Sequence, residues 1–151
     1  MQKFNIQDAD YELWLLLART HYRVRKARAK ELRQYELSPE QSGLLFYVHA
    51  SGNNAMPIEI ARWMLREPQT ITSIIDRMQK KGLIKKSRDK DRKNVIRISL
   101  TEKGEKAYEQ SIRREAFHKV MESLTEEKRQ NLRTYLREML ESAINYQKND
   151  L

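Results

Sequence analysis

The densest chemistry in this sequence is cationic. Between Lys85 and Arg97 stand seven basic residues (Lys85, Lys86, Arg88, Lys90, Arg92, Lys93, Arg97) and two acids (Asp89, Asp91), more than half of the chain's formal excess of +9. Edge strands carry lysine to block unwanted pairing, but edge protection needs neither this density nor arginine in a turn. Lysine and arginine in such a cluster neutralise phosphates, and arginine suits the minor groove of duplex DNA. Upstream, Gln69, Thr70, Thr72 and Ser73 carry amide and hydroxyl groups of a size that reaches base edges, glutamine being matched to adenine. Pro68 opens that segment and Arg77 stands on its shoulder.

Other chemistries find little support. His21, His49 and His118 lie far apart without metal-ligand spacing, and there is no phosphate-cradling glycine loop and no Ser, His and Asp signature. The paired acids Glu126-Glu127 sit at a helix start, where the helix dipole accounts for them. No catalytic residue, metal site or cofactor is therefore expected. With no cysteine, disulfides, thiolate-bound zinc, iron–sulfur clusters and thiol switches are excluded within this sequence. Two basic-module alternatives stay open. An RNA-binding module would display exposed aromatics for stacking, which this helix and hairpin lack. An anionic-membrane module would set an apolar helix face beside the basic one.

The elements around these residues follow from periodicity. Gln69 to Lys81 reads as a helix whose Ile71, Ile74, Ile75 and Met78 recur at core-facing spacing, with Gly82 as its C-terminal cap. The opposite side then carries Gln69, Thr72, Ser73, Asp76 and Lys80. Beyond Gly82 the period drops to two. Leu83–Arg88 and Asn94–Leu100 read as the strands of a hairpin with a charged tip, with Ile96, Ile98 and Leu100 sharing one side. Upstream, Ser38-Pro39-Glu40-Gln41 has the form of a capping box, and Pro57 opens a short helix through Arg66. A long helix is expected from Asp10 to Tyr35. Thr101 is expected to cap a helix reaching Ser123, and Thr125 to cap a last one with a seam of Leu132, Leu136, Met139, Leu140 and Ala143.

Length and composition agree with a small, mainly helical protein. The chain has 151 residues, 39% hydrophobic and 34% charged, with four glycines and three prolines; that glycine and proline content is low for a sheet-rich fold. The terminal helices have little else in the chain to pack on, so a second copy is the expected cover. The apolar run Leu13–Leu17 is too short, and too acidic in its flank, for a leader or a membrane span. A cytoplasmic protein without membrane contact is expected.

Two short helices followed by a basic hairpin is the order of a winged helix-turn-helix. The run QTITSIIDRMQKKGLIKKSRDKDRKNVIRISLTEKG resembles the recognition helix and wing of the multiple antibiotic resistance regulator (MarR) family. The most specific stretches are Ile75 to Ile84 and the Asp-Arg run leading to Leu100-Thr101-Glu102-Lys103-Gly104. The resemblance implies a mainly α (α+β) fold, with residues 37–100 as the winged helix-turn-helix and residues 1–36 with 101–151 as a helical dimerisation region. It implies a homodimeric regulator of transcription, most often a repressor, on palindromic double-stranded DNA in the prokaryotic nucleoid. Pro68, Gln69, Thr70, Thr72, Ser73 and Arg77 then fall on the recognition helix, and Arg88, Lys90, Asp91, Arg92, Lys93 and Asn94 on the wing. Asp91-Arg92 is followed by seven residues before Leu100, more than is usual in the family, and Asn94 stands where arginine is common. Asp91 is expected to pair with Arg77 and hold the wing to the helix. The resemblance also implies a pocket for a small aromatic or anionic effector, for which Trp14, His21, Tyr22, Arg25, Tyr47 and Trp63 are the candidates.

Overall fold

The computed structural model describes residues 7–149 and divides into two compact units, one ending at Arg114 and one beginning at Glu115. Its first helix, α1 (Ala9–Leu32), starts on Asp8, whose carboxylate accepts from the backbone N–H groups of Asp10 and Tyr11 at 3.0 Å. It stops earlier than the expected Tyr35. A 3-10 turn covers Arg33–Tyr35, Glu36 adopts the left-handed conformation (φ 56°), and the Leu37 N–H returns to the Leu32 carbonyl. That reversal buries Leu37 in the core.

Helix α2 (Pro39–Ala50) carries the anticipated capping box, with Ser38 and Gln41 exchanging backbone and side-chain hydrogen bonds at 3.1 Å. Helix α3 (Pro57–Met64) ends two residues short of the expected Arg66, because Leu65 turns left-handed (φ 50°) and the Arg66 N–H bonds the Ala61 carbonyl. Helix α4 (Pro68–Lys80) follows at once. Gly82 (φ 71°) closes it as a Schellman motif, with Leu83 N–H on Met78 O at 3.0 Å and Gly82 N–H on Gln79 O at 2.9 Å. Strands β1 (Ile84–Arg88) and β2 (Ile96–Leu100) pair antiparallel with Ser87 opposite Arg97. Ala55, from the loop after α2, adds a further bridge to Ile98. Both strands are slightly shorter than expected. Ile96, Ile98 and Leu100 alternate along one side of β2, but Ile96, nearest the hairpin tip, is 44% exposed, whereas Ile98 and Leu100 are buried.

Helix α5 (Glu102–Ser111) is capped by the Thr101 hydroxyl, which accepts from Gly104 N–H at 3.0 Å. A Cβ at Gly104 would stand 1.9 Å from the Leu83 carbonyl oxygen, so only glycine permits this contact between helix and hairpin. The single helix expected from Thr101 to Ser123 is two. The break falls where the Ser111 carbonyl accepts from the Arg28 guanidinium and Arg114 turns left-handed (φ 52°). The second unit contains α6 (Glu115–Met121) and α7 (Glu126–Asn149), joined by a turn in which Arg129 Nε donates to the carbonyls of Met121 and Leu124.

In the first unit one core gathers Leu32, Leu44, Leu45, Val48, Ile60, Ile71, Ile74, Ile75, Met78, Ile84 and Ile98. Each fully buried aliphatic side chain contributes roughly 1.5–3 kcal/mol, so α4 is fixed by its four apolar anchors. Its polar side faces out. This is a mainly helical architecture with one two-stranded sheet, in the helix, helix, hairpin order of a winged helix-turn-helix.

Candidate nucleic-acid interface

The outward side of α4 is polar and self-tied. Gln69, Thr70, Thr72, Ser73 and Arg77 are all exposed, as is Pro68 at the helix start. The Thr72 hydroxyl donates to the Pro68 carbonyl at 3.0 Å, the Ser73 hydroxyl to the Gln69 carbonyl at 3.1 Å, and Arg77 Nε to the Ser73 carbonyl at 3.2 Å. Asp76, on the same helix, forms an ion pair with Lys86 of β1 at 2.5 Å. This pair fixes the hairpin to the exposed flank of α4. It is not the expected contact: among the described residues Asp91 and Arg77 form no ion pair with each other.

The hairpin tip is organised by Asp89 rather than Asp91. One Asp89 carboxylate oxygen accepts from the backbone N–H groups of Asp91 and Arg92 at 3.0 Å, and the other accepts from Arg97 Nε at 2.6 Å. Asp89 N–H bonds Val95 O, and Val95 N–H bonds Arg92 O, both at 2.8 Å. Arg97 also reaches the Asn54 carbonyl at 3.3 Å, joining the hairpin to the α2–α3 loop. The Arg97 guanidinium, aided by the two backbone N–H groups, holds the Asp89 carboxyl below the usual range. Two features of the sequence carry this arrangement. Aspartate commonly accepts from N–H groups two and three residues ahead, and with Ser87 opposite Arg97, Asp89 is the diagonal neighbour of Arg97 on the same face.

These contacts sort the cations. Lys86 and Arg97 are paired with Asp76 and Asp89, whereas Lys85, Arg88, Lys90, Arg92 and Lys93 are exposed and form no ion pair among the described residues. Asp91 and Asn94 are exposed at the same tip. The hairpin thus presents five unpaired cations, Lys85 and Arg88 on β1 and Lys90, Arg92 and Lys93 at its tip, against one unpaired acid, a charge balance that attracts polyanions.

The effector candidates divide. Tyr47 and Trp63 meet at 5.4 Å between ring centroids, and two residues outside the sequence reading join them: Phe46 at 5.6 Å from Trp63, and Arg114 lying 5.2 Å over the Phe46 ring. Arg25 is paired with Glu40. Trp14 stacks on Tyr11, while His21 and Tyr22 are exposed on α1. Among the described residues no hydrogen bond, ion pair or ring contact links Trp14, His21 or Tyr22 to the cluster around Trp63.

Two polar nodes were not legible in advance. Arg28, 5% exposed, lies 3.0 Å from Glu31 and 3.1 Å from Ser42, and donates to the Ser111 carbonyl, joining α1, α2 and α5. Its helix is rich in arginine, and nothing in the spacing distinguishes the buried one. The second node centres on Glu105, which accepts from Asn53 Nδ2 at 2.9 Å and lies 3.0 Å from His49 Nδ1. The Asn53 amide, with His49 beside it, holds the Glu105 carboxyl below its ordinary value. Asn53 Oδ1 also accepts from Leu100 N–H at 2.8 Å, which anchors the end of β2.

Among the described residues no helix is long and apolar enough to cross a membrane, and no group of three or more His, Cys, Asp or Glu is placed to hold a metal ion. A model of the MarR family matches residues 37–95. The chain is similar to the uncharacterized HTH-type transcriptional regulator YsmB of Bacillus subtilis (strain 168), with 32% identity over 105 residues, 68% of this chain and 71% of that one. It is also similar to the HTH-type transcriptional repressor IacR of Pseudomonas putida, with 28% identity over 122 residues, 80% and 72% of the two chains. Among solved structures, the organohalide-sensing regulator RdhR-CbdbA1625 in its 2,4-dichlorophenol-bound form superposes with a TM-score of 0.82 at 28% identity, covering 92% of this chain and 83% of that one. A MarR mutant from E. coli complexed with operator DNA shares the fold, with a TM-score of 0.80 at 18% identity over 89% and 99% of the chains.

Proposed function

Because the chain belongs to the MarR family of winged helix-turn-helix transcriptional regulators, which are not enzymes, we propose that it is a homodimeric repressor of a palindromic operator. Each subunit sets α4 in a major groove and its hairpin in the flanking minor groove, with recognition helices about 10 bp apart. Gln69, Thr70, Thr72, Ser73 and Arg77 face the bases and their nearest phosphates, with Pro68 opening the helix. Arg88, Lys90, Arg92, Lys93 and Asn94 face the backbone and minor groove. The observation that carries this reading is the Lys86–Asp76 pair, which sets the cationic hairpin beside the polar flank of α4.

Dimerisation is assigned to residues 1–36 and 101–151, and DNA binding to residues 37–100. In the single chain, Leu13, Leu16 and Leu17 of α1 are 61%, 48% and 40% exposed, and Met139 and Leu140 of α7 are 49% and 48% exposed. Apolar faces of this kind on terminal helices call for cover, and a second copy supplies it. The protein acts in the cytoplasm of a prokaryotic cell.

Repression accords with the name of the relative IacR, and release by a small aromatic compound accords with the dichlorophenol-bound RdhR-CbdbA1625. The cluster of Phe46, Tyr47 and Trp63 is the aromatic surface best suited to such a ligand. Selection of bound duplexes from a random library, repeated with chlorinated phenols and aromatic acids, tests the whole proposal. A palindromic consensus, with release by one of the compounds, is expected. Absence of any enriched duplex at low salt would refute DNA regulation, and a consensus unaffected by every compound would refute aromatic sensing.

A further inference from the structure

We infer that Thr72 and Ser73 read bases as hydrogen-bond acceptors, each selecting an exocyclic amino group, that of adenine or cytosine. This deepens, and rests on, the assignment of α4 to the major groove.

A hydroxyl has one proton to donate and two lone pairs to accept with. In both residues the proton already has a partner. Thr72 donates to the Pro68 carbonyl at 3.0 Å and Ser73 to the Gln69 carbonyl at 3.1 Å, and both side chains are exposed. Back-bonding of this kind is common for serine and threonine in helices. Its consequence here comes from where the two hydroxyls stand, on the outward flank that also carries Gln69. What they present outward is lone pairs. Arg77 continues the pattern: its Nε is held by the Ser73 carbonyl, which leaves the terminal guanidinium nitrogens for an acceptor.

In the major groove the donors are the amino groups of adenine and cytosine, whereas guanine O6 and N7, thymine O4 and every phosphate oxygen are acceptors. The two hydroxyls meet an amino group without rearrangement. To meet guanine, thymine or phosphate, each must abandon its bond to the helix. Gln69 differs, because its amide forms no side-chain hydrogen bond among the described residues and offers donor and acceptor together. The flank is therefore graded: Gln69 reads adenine with both groups, Thr72 and Ser73 read amino groups with lone pairs, and Arg77 supplies a donor.

The test compares wild type, Thr72→Val, Thr72→Ser and Ser73→Ala on the selected duplex. Parallel duplexes carry deoxynebularine for adenine, or deoxyzebularine for cytosine, at each position; these analogues lack the amino group. Removing the amino group at the position faced by Thr72 is expected to weaken wild type on the order of tenfold. Thr72→Val is expected to lose about as much on the unmodified duplex and nothing further on the modified one. Thr72→Ser keeps the preference, and Ser73→Ala repeats the pattern at a neighbouring position. Sensitivity to one analogue and not the other identifies adenine or cytosine.

The inference is overturned by equal analogue losses in wild type and variant, by a wild type indifferent to both analogues on either strand of the faced base pairs, or by variants that weaken every duplex alike with a salt slope lower by about one, the mark of a phosphate contact. A wild type without any sequence preference would instead refute the assignment of α4. A sequence-selective wild type with indifferent variants refutes this inference alone.

Discussion

Lys86 Nζ lies 2.5 Å from Asp76 Oδ1, so the first strand of the wing is tied to the exposed flank of the helix that precedes it. The pair is partly exposed on both sides, 30% and 49%, and such pairs contribute at most about 1 kcal/mol to stability. Its main effect is on charge: it cancels an acid on the helix proposed to enter the major groove and engages the Lys86 ammonium.

Asp76→Asn therefore frees Lys86 for a phosphate. Affinity for all duplexes should rise together, and the slope of log affinity against log salt should steepen by about 0.9. Titrations at several salt concentrations measure both. An unchanged slope contradicts the pairing.

Asp89 and Asp91 should behave oppositely. Asp89→Ala removes the acceptor for the Asp91 and Arg92 backbone N–H groups and Arg97, so amide exchange at Asp91 and Arg92 should quicken and duplex affinity fall about tenfold. Asp91→Ala should leave amide protection at the tip unchanged and strengthen binding slightly by removing an unpaired acid. Hydrogen exchange and binding assays separate the two.

Acid should loosen the same tip. The Asp89 carboxyl titrates lower in the folded hairpin than in the unfolded chain, because its charged form accepts from Arg97 and two backbone N–H groups. Its contribution is present above the unfolded value of 3.8 and is lost as pH falls through the lower, folded value. Amide protection at Arg92 should hold from neutral pH to about pH 4 and decline below it. Loss of protection near pH 6 would point to another group.

Two substitutions test the frame behind the interface. Gly104→Ala drives a methyl group into the Leu83 carbonyl and should destabilise the protein by about 1–3 kcal/mol. Arg28→Met should cost about 3–5 kcal/mol by removing the buried guanidinium that lies 3.0 Å from Glu31 and donates to the Ser111 carbonyl. Adding Glu31→Met should recover part of that loss. Urea unfolding midpoints give the values, and additive losses in the double variant would contradict the node.

The sequence was most informative where periodicity and caps agree. The Ser38–Gln41 box, the Ile71–Met78 stripe, Gly82 and Thr101 each specify a local geometry with a single solution, and α2, α4 and α5 begin or end on them. Helix ends set by non-glycine residues in left-handed conformations were not legible. Leu65, Glu36 and Arg114 carry no composition signal for that conformation, and tertiary contacts such as Arg28 to the Ser111 carbonyl fix it instead. The same limit explains the wing. Charge density located it, but choosing Asp89 over Asp91 as its anchor required the strand register. The Arg28 and Glu105 nodes join residues more than 50 positions apart, which no local pattern encodes.

The most direct measurement of the central claim is a hydroxyl-radical footprint on the selected duplex, taken with the mass of the complex in solution. The account predicts two subunits per duplex and two symmetric sets of protections, centred about 10 bp apart, with added minor-groove protection outside them that disappears in a Lys90→Ala, Arg92→Ala, Lys93→Ala variant. One subunit per duplex, or a footprint indifferent to those three residues, would contradict it.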